Sequence, residues 1–255
     1  MAMNKFLRRN FAFWTQERSL TALLVYLLTS ILLWIPLSEN VPWEELAQDI
    51  IFNLILLAGC FSVTAPVTIK MVLYLLAVNA FLFRGLEFLN PQLIVQQMEL
   101  LMSAMFFSLL GGLTMKYVLQ DEESTSYRIQ GAIVVYIIVG LVCALLYQLI
   151  HINNPEAFDF TKLKSTDIPF AHLLYFSFTI QTTVGSGDIF PVAPWPKSMV
   201  IFQSMFGMLY PVVIIARLVT LEIEYTKQRG FRKKENDHQY AEHHIATKKK
   251  EPSRE

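Results

Sequence analysis

Four long windows without a single charged side chain limit what this chain can fold into. Arg18 and Glu39 enclose 20 uncharged residues, Asp49 and Lys70 another 20, Arg128 and Glu156 enclose 27, and Lys197 and Arg217 enclose 19. An α-helix of about 20 apolar residues crosses a hydrocarbon core of about 30 Å, so each window is a candidate transmembrane helix. Two further spans are less clean. Residues 71–83 are apolar but short and need 66–70 at their start, and 93–119 carries Glu99 and Lys116. The pattern predicts an all-α membrane protein with six transmembrane helices, near 19–38, 46–64, 67–86, 93–119, 127–151 and 197–221.

Composition agrees. Hydrophobic residues make up 54% and charged residues 16% of the chain, against about 25% charged in soluble domains. An ordinary soluble enzyme is excluded on these figures. The 21 basic and 21 acidic residues cancel, which removes any whole-protein field for nucleic acid. Cys60 and Cys143 are too few for a disulfide framework and show no metal-ligand spacing. His151 and His172 have no serine or cysteine in a nucleophile context, and no phosphate-binding glycine loop is present. No enzymatic activity, catalytic residue, metal centre or cofactor is expected.

A fifth uncharged window, 168–187, has a different character. Its second half, TIQTTVGSG, places Gly185 and Gly187 among β-branched residues and makes a poor helix. The remaining stretch is too short to span a bilayer but fits a re-entrant segment, since non-helical backbone at membrane depth is tolerated where it lines a water-filled cavity. The expectation is a half-helix over 169–181 that dips in, with 182–187 returning as extended chain between helices five and six.

Orientation follows from the basic residues. Lys5, Arg8, Arg9 and Arg18 precede the first span, the acidic loop with Glu39, Glu44, Glu45 and Asp49 follows it, and the segment after Leu221 is rich in lysine and arginine. The positive-inside rule then puts both termini in the cytoplasm, which requires an even number of spans. Six satisfies this and seven does not. The domain plan is a cytoplasmic N-terminal segment over 1–18, amphipathic or simply solvated; four helices over 19–119; a pore domain over 127–221; and a short basic tail over 222–255.

The run Thr182-Thr183-Val184-Gly185-Ser186-Gly187-Asp188 carries the chemistry. A cation crossing a membrane needs oxygen ligands in place of water. Consecutive backbone carbonyls aimed at one axis supply them when several chains surround that axis. Glycines at 185 and 187 permit backbone angles that other residues resist, and the Thr183 hydroxyl offers one further oxygen. The half-helix directs its negative C-terminal end toward the same axis, favouring cations.

At these residues the chain resembles the pore-loop potassium channels, whose signature is TVGYGD, and in particular bacterial members with four helices ahead of a single pore. The resemblance covers about residues 127 to 221. Asp188-Ile189-Phe190-Pro191 looks like the family's GD-x-x-P exit. Gly207 lies 22 residues past Gly185, where the family often places a hinge glycine, and Ile215-Ala216-Arg217-Leu218-Val219 is similar to inner-helix ends of bacterial members. The resemblance implies a homotetramer in the lipid bilayer of the cell membrane. Its filter would be formed by Thr183, Val184, Gly185, Ser186 and Gly187, supported by Thr182, Asp188, Tyr175 and Phe176, and would conduct potassium. Ser186 departs from the pattern, because the family has an aromatic ring there that packs behind the filter against pore-helix aromatics. Related TVGDG filters resemble poorly selective sodium and potassium conduits, so a non-selective cation channel is the alternative.

Other features divide between function and packing. The fourth span lacks an arginine array, and each charge moved through the field supplies only about 2.3 kcal/mol per 100 mV, so no steep voltage dependence is expected. Arg84 and Glu99 are expected to pair inside the bundle. Gly207 and Pro211 are candidates for a gating hinge, with close packing of Gly207 against the outer helix as the competing reading. His238, His243 and His244 read as a solvated tail. A secondary transporter would need interrupted helices in two repeated halves, whereas one interrupted segment is visible; a non-conducting scaffold stays open.

Overall fold

The computed structural model describes residues 20–33, 44–62, 66–89, 92–119, 125–160, 170–217, 219, 220 and 223. The N-terminal segment over 1–18 and the tail from 224 onward, including its three histidines, lie outside them. The chain divides into two units, Met1–Val212 and Val213–Glu255. Of the second, the end of the last helix and residues 219, 220 and 223 are described.

The described residues are mostly helical. The helices are α1 (Leu20–Leu33), α2 (Glu44–Ser62), α3 (Val67–Leu89), α4 (Leu93–Val118), α5 (Thr125–Asn153), α6 (Phe170–Gln181) and α7 (Pro194–Arg217). Four are long and apolar enough to cross a membrane: Val67–Leu86, Leu93–Val118, Arg128–Asn153 and Pro194–Arg217. Leu20–Leu33 and Ile50–Cys60 are shorter apolar helices. All six predicted helices therefore have a counterpart. Four have spanning length within the described residues, and 34–43, beyond α1, lie outside those residues.

Local chemistry sets several boundaries. The Pro66 carbonyl accepts from the amides of Ile69 and Lys70, both at 3.0 Å, opening α3. Asn154 ends α5, its side chain accepting from the Glu156 amide at 3.2 Å, with Pro155 starting a single 3₁₀ turn over Pro155–Ala157. Pro194 opens α7 at a position where its missing N–H costs nothing.

Helix α4 packs along α3 on one side and α5 on the other, and α6 packs on α5. The larger buried cluster includes Leu23, Phe52, Leu73, Phe107, Ile138 and Leu174, one from each of the first six helices. Two phenylalanine pairs inside it meet edge to face, Phe52–Phe107 at 5.8 Å and Phe106–Phe107 at 5.2 Å. The outward surface is also apolar. Met71, Leu75, Val78 and Leu82 of α3 are all exposed at helical spacing, an arrangement suited to hydrocarbon rather than water.

The predicted intramembrane ion pair is present. Arg84 Nη1 donates to Glu99 Oε1 at 2.9 Å, and Glu99 is 3% exposed. The Ser103 hydroxyl donates to the same oxygen at 3.1 Å, and the Arg84 guanidinium lies 4.4 Å from the Phe52 ring centroid. Charge, hydroxyl and π-face together offset the desolvation of a pair joining α2, α3 and α4. Lys116, the other charge on α4, is exposed.

A two-stranded ribbon fixes the chain that leaves α5 to the chain that leads into α7. Strand β1 (Phe158–Asp159) pairs antiparallel with β2 (Phe190–Pro191), Phe158 opposite Pro191 and Asp159 opposite Phe190. The Ala157 carbonyl accepts from the amides of Val192 at 2.9 Å and Ala193 at 3.2 Å. Residues 182–189 are thereby held at both ends.

Candidate ion-conduction site

The short helix predicted over 169–181 is α6, and it ends at Gln181 as expected. Its C-terminus closes with a specific hydrogen-bond pattern. The Val184 amide donates to the Thr179 carbonyl at 2.9 Å, and the Thr183 amide to the Ile180 carbonyl at 3.0 Å. This is a Schellman motif with Thr183 as its left-handed residue. The Gly185 amide also reaches the Thr179 carbonyl, at 3.1 Å, and the Thr182 hydroxyl caps the Phe178 carbonyl at 2.7 Å. The expectation of extended chain from 182 onward is corrected here: Thr182 and Thr183 still form the last turn, and the extended stretch begins at Val184.

Thr183 has φ +61°, Gly185 +63° and Gly187 +71°, and among the described residues Thr183 is the one non-glycine with positive φ. Left-handed backbone costs a β-branched residue roughly 1–2 kcal/mol, so its presence marks a geometry imposed by the surroundings. Val184 and Ser186 lie between these positions, so handedness alternates residue by residue. In a regular strand successive residues face opposite sides; reversing handedness at every second residue can turn consecutive carbonyls to one side. Thr182, Thr183, Gly185 and Gly187 are exposed, and Val184 is 73% exposed. The segment is thus an exposed strip of main chain on a fixed base.

That base is a buried polar network absent from the sequence reading. Gln181 and Tyr136 exchange bonds: Gln181 Nε2 donates to the Tyr136 carbonyl at 2.6 Å, and the Tyr136 hydroxyl donates to the Gln181 carbonyl at 3.1 Å. On α7, Gln203 Nε2 donates to the Ser177 hydroxyl at 2.8 Å, the Ser177 carbonyl at 3.0 Å and Gln181 Oε1 at 3.2 Å. Gln203 Oε1 accepts from the Tyr147 hydroxyl at 2.8 Å, and the Ser177 hydroxyl donates to the Gly140 carbonyl at 2.6 Å. Tyr147, Ser177, Gln181 and Gln203 are each no more than 1% exposed. In a dry interior an unmade bond here costs about 1–3 kcal/mol, so the network ties α5, α6 and α7 into one piece. Gln181 and Gln203 stand out in the sequence as uncharged amides inside apolar windows, but nothing local names their partners.

The residues expected to support the filter have other surroundings. Phe176 is buried against Tyr147 and Phe158, at centroid distances of 5.4 and 6.0 Å. Tyr175 is partly exposed and lines an apolar pocket of about 150 Å³ with Ile31, Leu174, Phe178, Thr179 and Thr182. Among the described residues, Ser186 Oγ and Asp188 Oδ1 are buried without a hydrogen-bond partner. Gly207 and Pro211 lie on α7. A Cβ at 207 would overlap the carbonyl oxygen of Gln181, so the closest approach at Gly207 is to the end of α6. Pro211 has no amide to offer the Gly207 carbonyl one turn before it.

No curated protein matches the chain. Residues 132–224 match the family model described as an ion channel, a stretch that contains most of α5, the whole of α6, the alternating segment and α7. The chain therefore has several helices of membrane-spanning length and carries, over 132–224, a domain that matches an ion-channel family.

Proposed function

We propose that this protein is a homotetrameric potassium-type channel of the cell membrane, with both termini cytoplasmic and Thr183–Gly187 as its selectivity filter. The observation that carries this reading is the alternation of left-handed backbone at 183, 185 and 187 in an exposed strip. Four such strips around one axis form rings of carbonyls, with the Thr183 hydroxyls as the innermost ring. The C-terminal end of α6 points its partial negative charge toward permeant cations. Six spans per subunit, the re-entrant loop and passive conduction of monovalent cations follow from the same reading.

On α7 the buried side holds Gln203 and Gly207, while Phe202, Met205, Leu209 and Val212 form an exposed apolar stripe. Neighbouring subunits around the axis would cover that stripe. Pro211 is assigned the bend that opens the inner end, since it frees the Gly207 carbonyl, whereas Gly207 itself is committed to Gln181. With Lys116 alone as a basic residue on α4, the channel opens without steep voltage dependence. Ser186 favours one second reading, a channel that passes sodium and potassium alike, because no ring stands behind the filter at that position.

The test is potassium efflux from loaded liposomes, with the native mass of the detergent-solubilised protein measured on the same preparation. Four chains per particle and efflux that follows protein content are expected. A particle of one chain that still passes potassium would overturn the proposal.

A further inference from the structure

We infer that Gln203, buried on α7, is a positioning residue that sets the preference for potassium over sodium by fixing Gln181. The inference rests on the reading of Thr183–Gly187 as the filter. Three observations lead to it.

The first is where the filter is held. Within one subunit, Ser186 Oγ and Asp188 Oδ1 are buried and find no hydrogen-bond partner among the described residues. The hydrogen bonds concentrate at the base. Gln181 precedes the left-handed Thr183 by two residues, and its main chain and side chain make three bonds, two with Tyr136 and one with Gln203.

The second is that Gln203 is the member shared by all three helices. It accepts from Tyr147 of α5 and donates to Ser177 and Gln181 of α6 while sitting on α7. Removing its amide leaves the Tyr147 hydroxyl and Gln181 Oε1 buried without their partner, and water does not reach to replace it, since both residues are buried.

The third is the direction of the hydrogen bonds. Tyr147 donates to Gln203, Gln203 to Gln181, and Gln181 to the Tyr136 carbonyl. Each amide is thereby fixed in one orientation, so the network fixes a single position for Gln181. A filter that lacks a ring at position 186 depends on that base to place its carbonyls, and how the carbonyls coordinate the ion separates potassium from sodium.

The experiment is the potassium-to-sodium permeability ratio, from reversal potentials in planar bilayers. It compares wild type with Tyr147→Phe, Gln203→Met, Gln181→Met and the double variant Gln203→Met with Gln181→Met. Ser204→Ala is the control, because among the described residues the Ser204 hydroxyl bonds within α7, to the Val200 carbonyl. A wild-type preference for potassium is expected to fall roughly threefold or more in Tyr147→Phe and Gln203→Met, the equivalent of part of one net hydrogen bond. The double variant should be no worse than the worse single one, because linked groups fail together. Ser204→Ala should match wild type.

Unchanged ratios in variants that remain tetrameric would overturn the inference and leave the channel reading intact. A wild-type ratio near one would also overturn it, since no preference would exist to position. Absence of wild-type cation current would remove the channel reading itself. If Gln203→Met fails to assemble, Tyr147→Phe decides, because it removes one hydroxyl and keeps the ring.

Discussion

Gly207 of α7 sits directly against the Gln181 carbonyl at the end of α6, so closely that a Cβ at 207 would lie 2.7 Å from the Gln181 carbonyl carbon. This is backbone against backbone, where no flexible side chain can give way. The contact brings the long helix that follows the alternating segment onto the base of that segment. Of the two readings of Gly207, hinge or close packing, this contact favours packing.

Gly207→Ala should therefore destabilise the protein by about 1–3 kcal/mol, the usual range for overpacking a close contact. Thermal melting of the detergent-solubilised protein measures this. An unchanged midpoint would contradict the contact.

Gly185 and Gly187 present the opposite case. A Cβ at either would meet nothing within 4 Å, but both residues are left-handed, at φ +63° and +71°. Alanine there costs roughly 1–2 kcal/mol of backbone strain, with no steric clash. Gly185→Ala and Gly187→Ala should assemble normally and lose cation current, as read by native mass and bilayer recording. Normal current would sink the assignment of the filter.

Glu99 is buried in the membrane part and holds Arg84. Glu99→Leu would leave a guanidinium in an apolar bundle and should lower stability by about 3–5 kcal/mol. Arg84→Met combined with Glu99→Leu removes both charges and should recover most of that loss. A double variant as unstable as the single one would show that the pair is not the source.

Ser186→Tyr returns a ring to the position behind the filter and should raise the permeability of potassium relative to sodium. An unchanged ratio would count against the view that position 186 tunes this filter.

Open probability should change less than tenfold across 100 mV. Ten-fold corresponds to about 1.4 kcal/mol, which is less than the roughly 2.3 kcal/mol that one full gating charge would supply. A steep rise with depolarisation would require a moving charge on α4, which carries Lys116 and the paired Glu99 and no array of basic residues.

The helices were legible in the sequence because uncharged windows of spanning length have few other uses, and the end of α6 was legible because Thr-Thr-Val-Gly cannot extend a helix far. The Arg84–Glu99 pair could be anticipated since two opposite charges in apolar surroundings must find each other. Three features were not legible. Thr183 adopts a left-handed conformation that its residue type disfavours, and only the hydrogen bonds from Val184 and Thr183 back into α6 explain it. The network through Gln203 joins residues as far as 67 positions apart, Tyr136 and Gln203. Phe176 pairs with Tyr147 and Phe158, a choice of partner that depends on the crossing of α5 and α6. Each of these is set by tertiary contact and leaves no local periodicity to read.

The central claim is that the segment Thr183–Gly187 selects among cations by backbone carbonyls. The most direct measurement is the reversal potential of the purified protein in a planar bilayer with potassium on one side and sodium on the other. The account predicts measurable current with the reversal potential displaced strongly toward the potassium equilibrium value. Measurable current reversing near zero would contradict it, and would make the serine filter a conduit that does not distinguish the two ions.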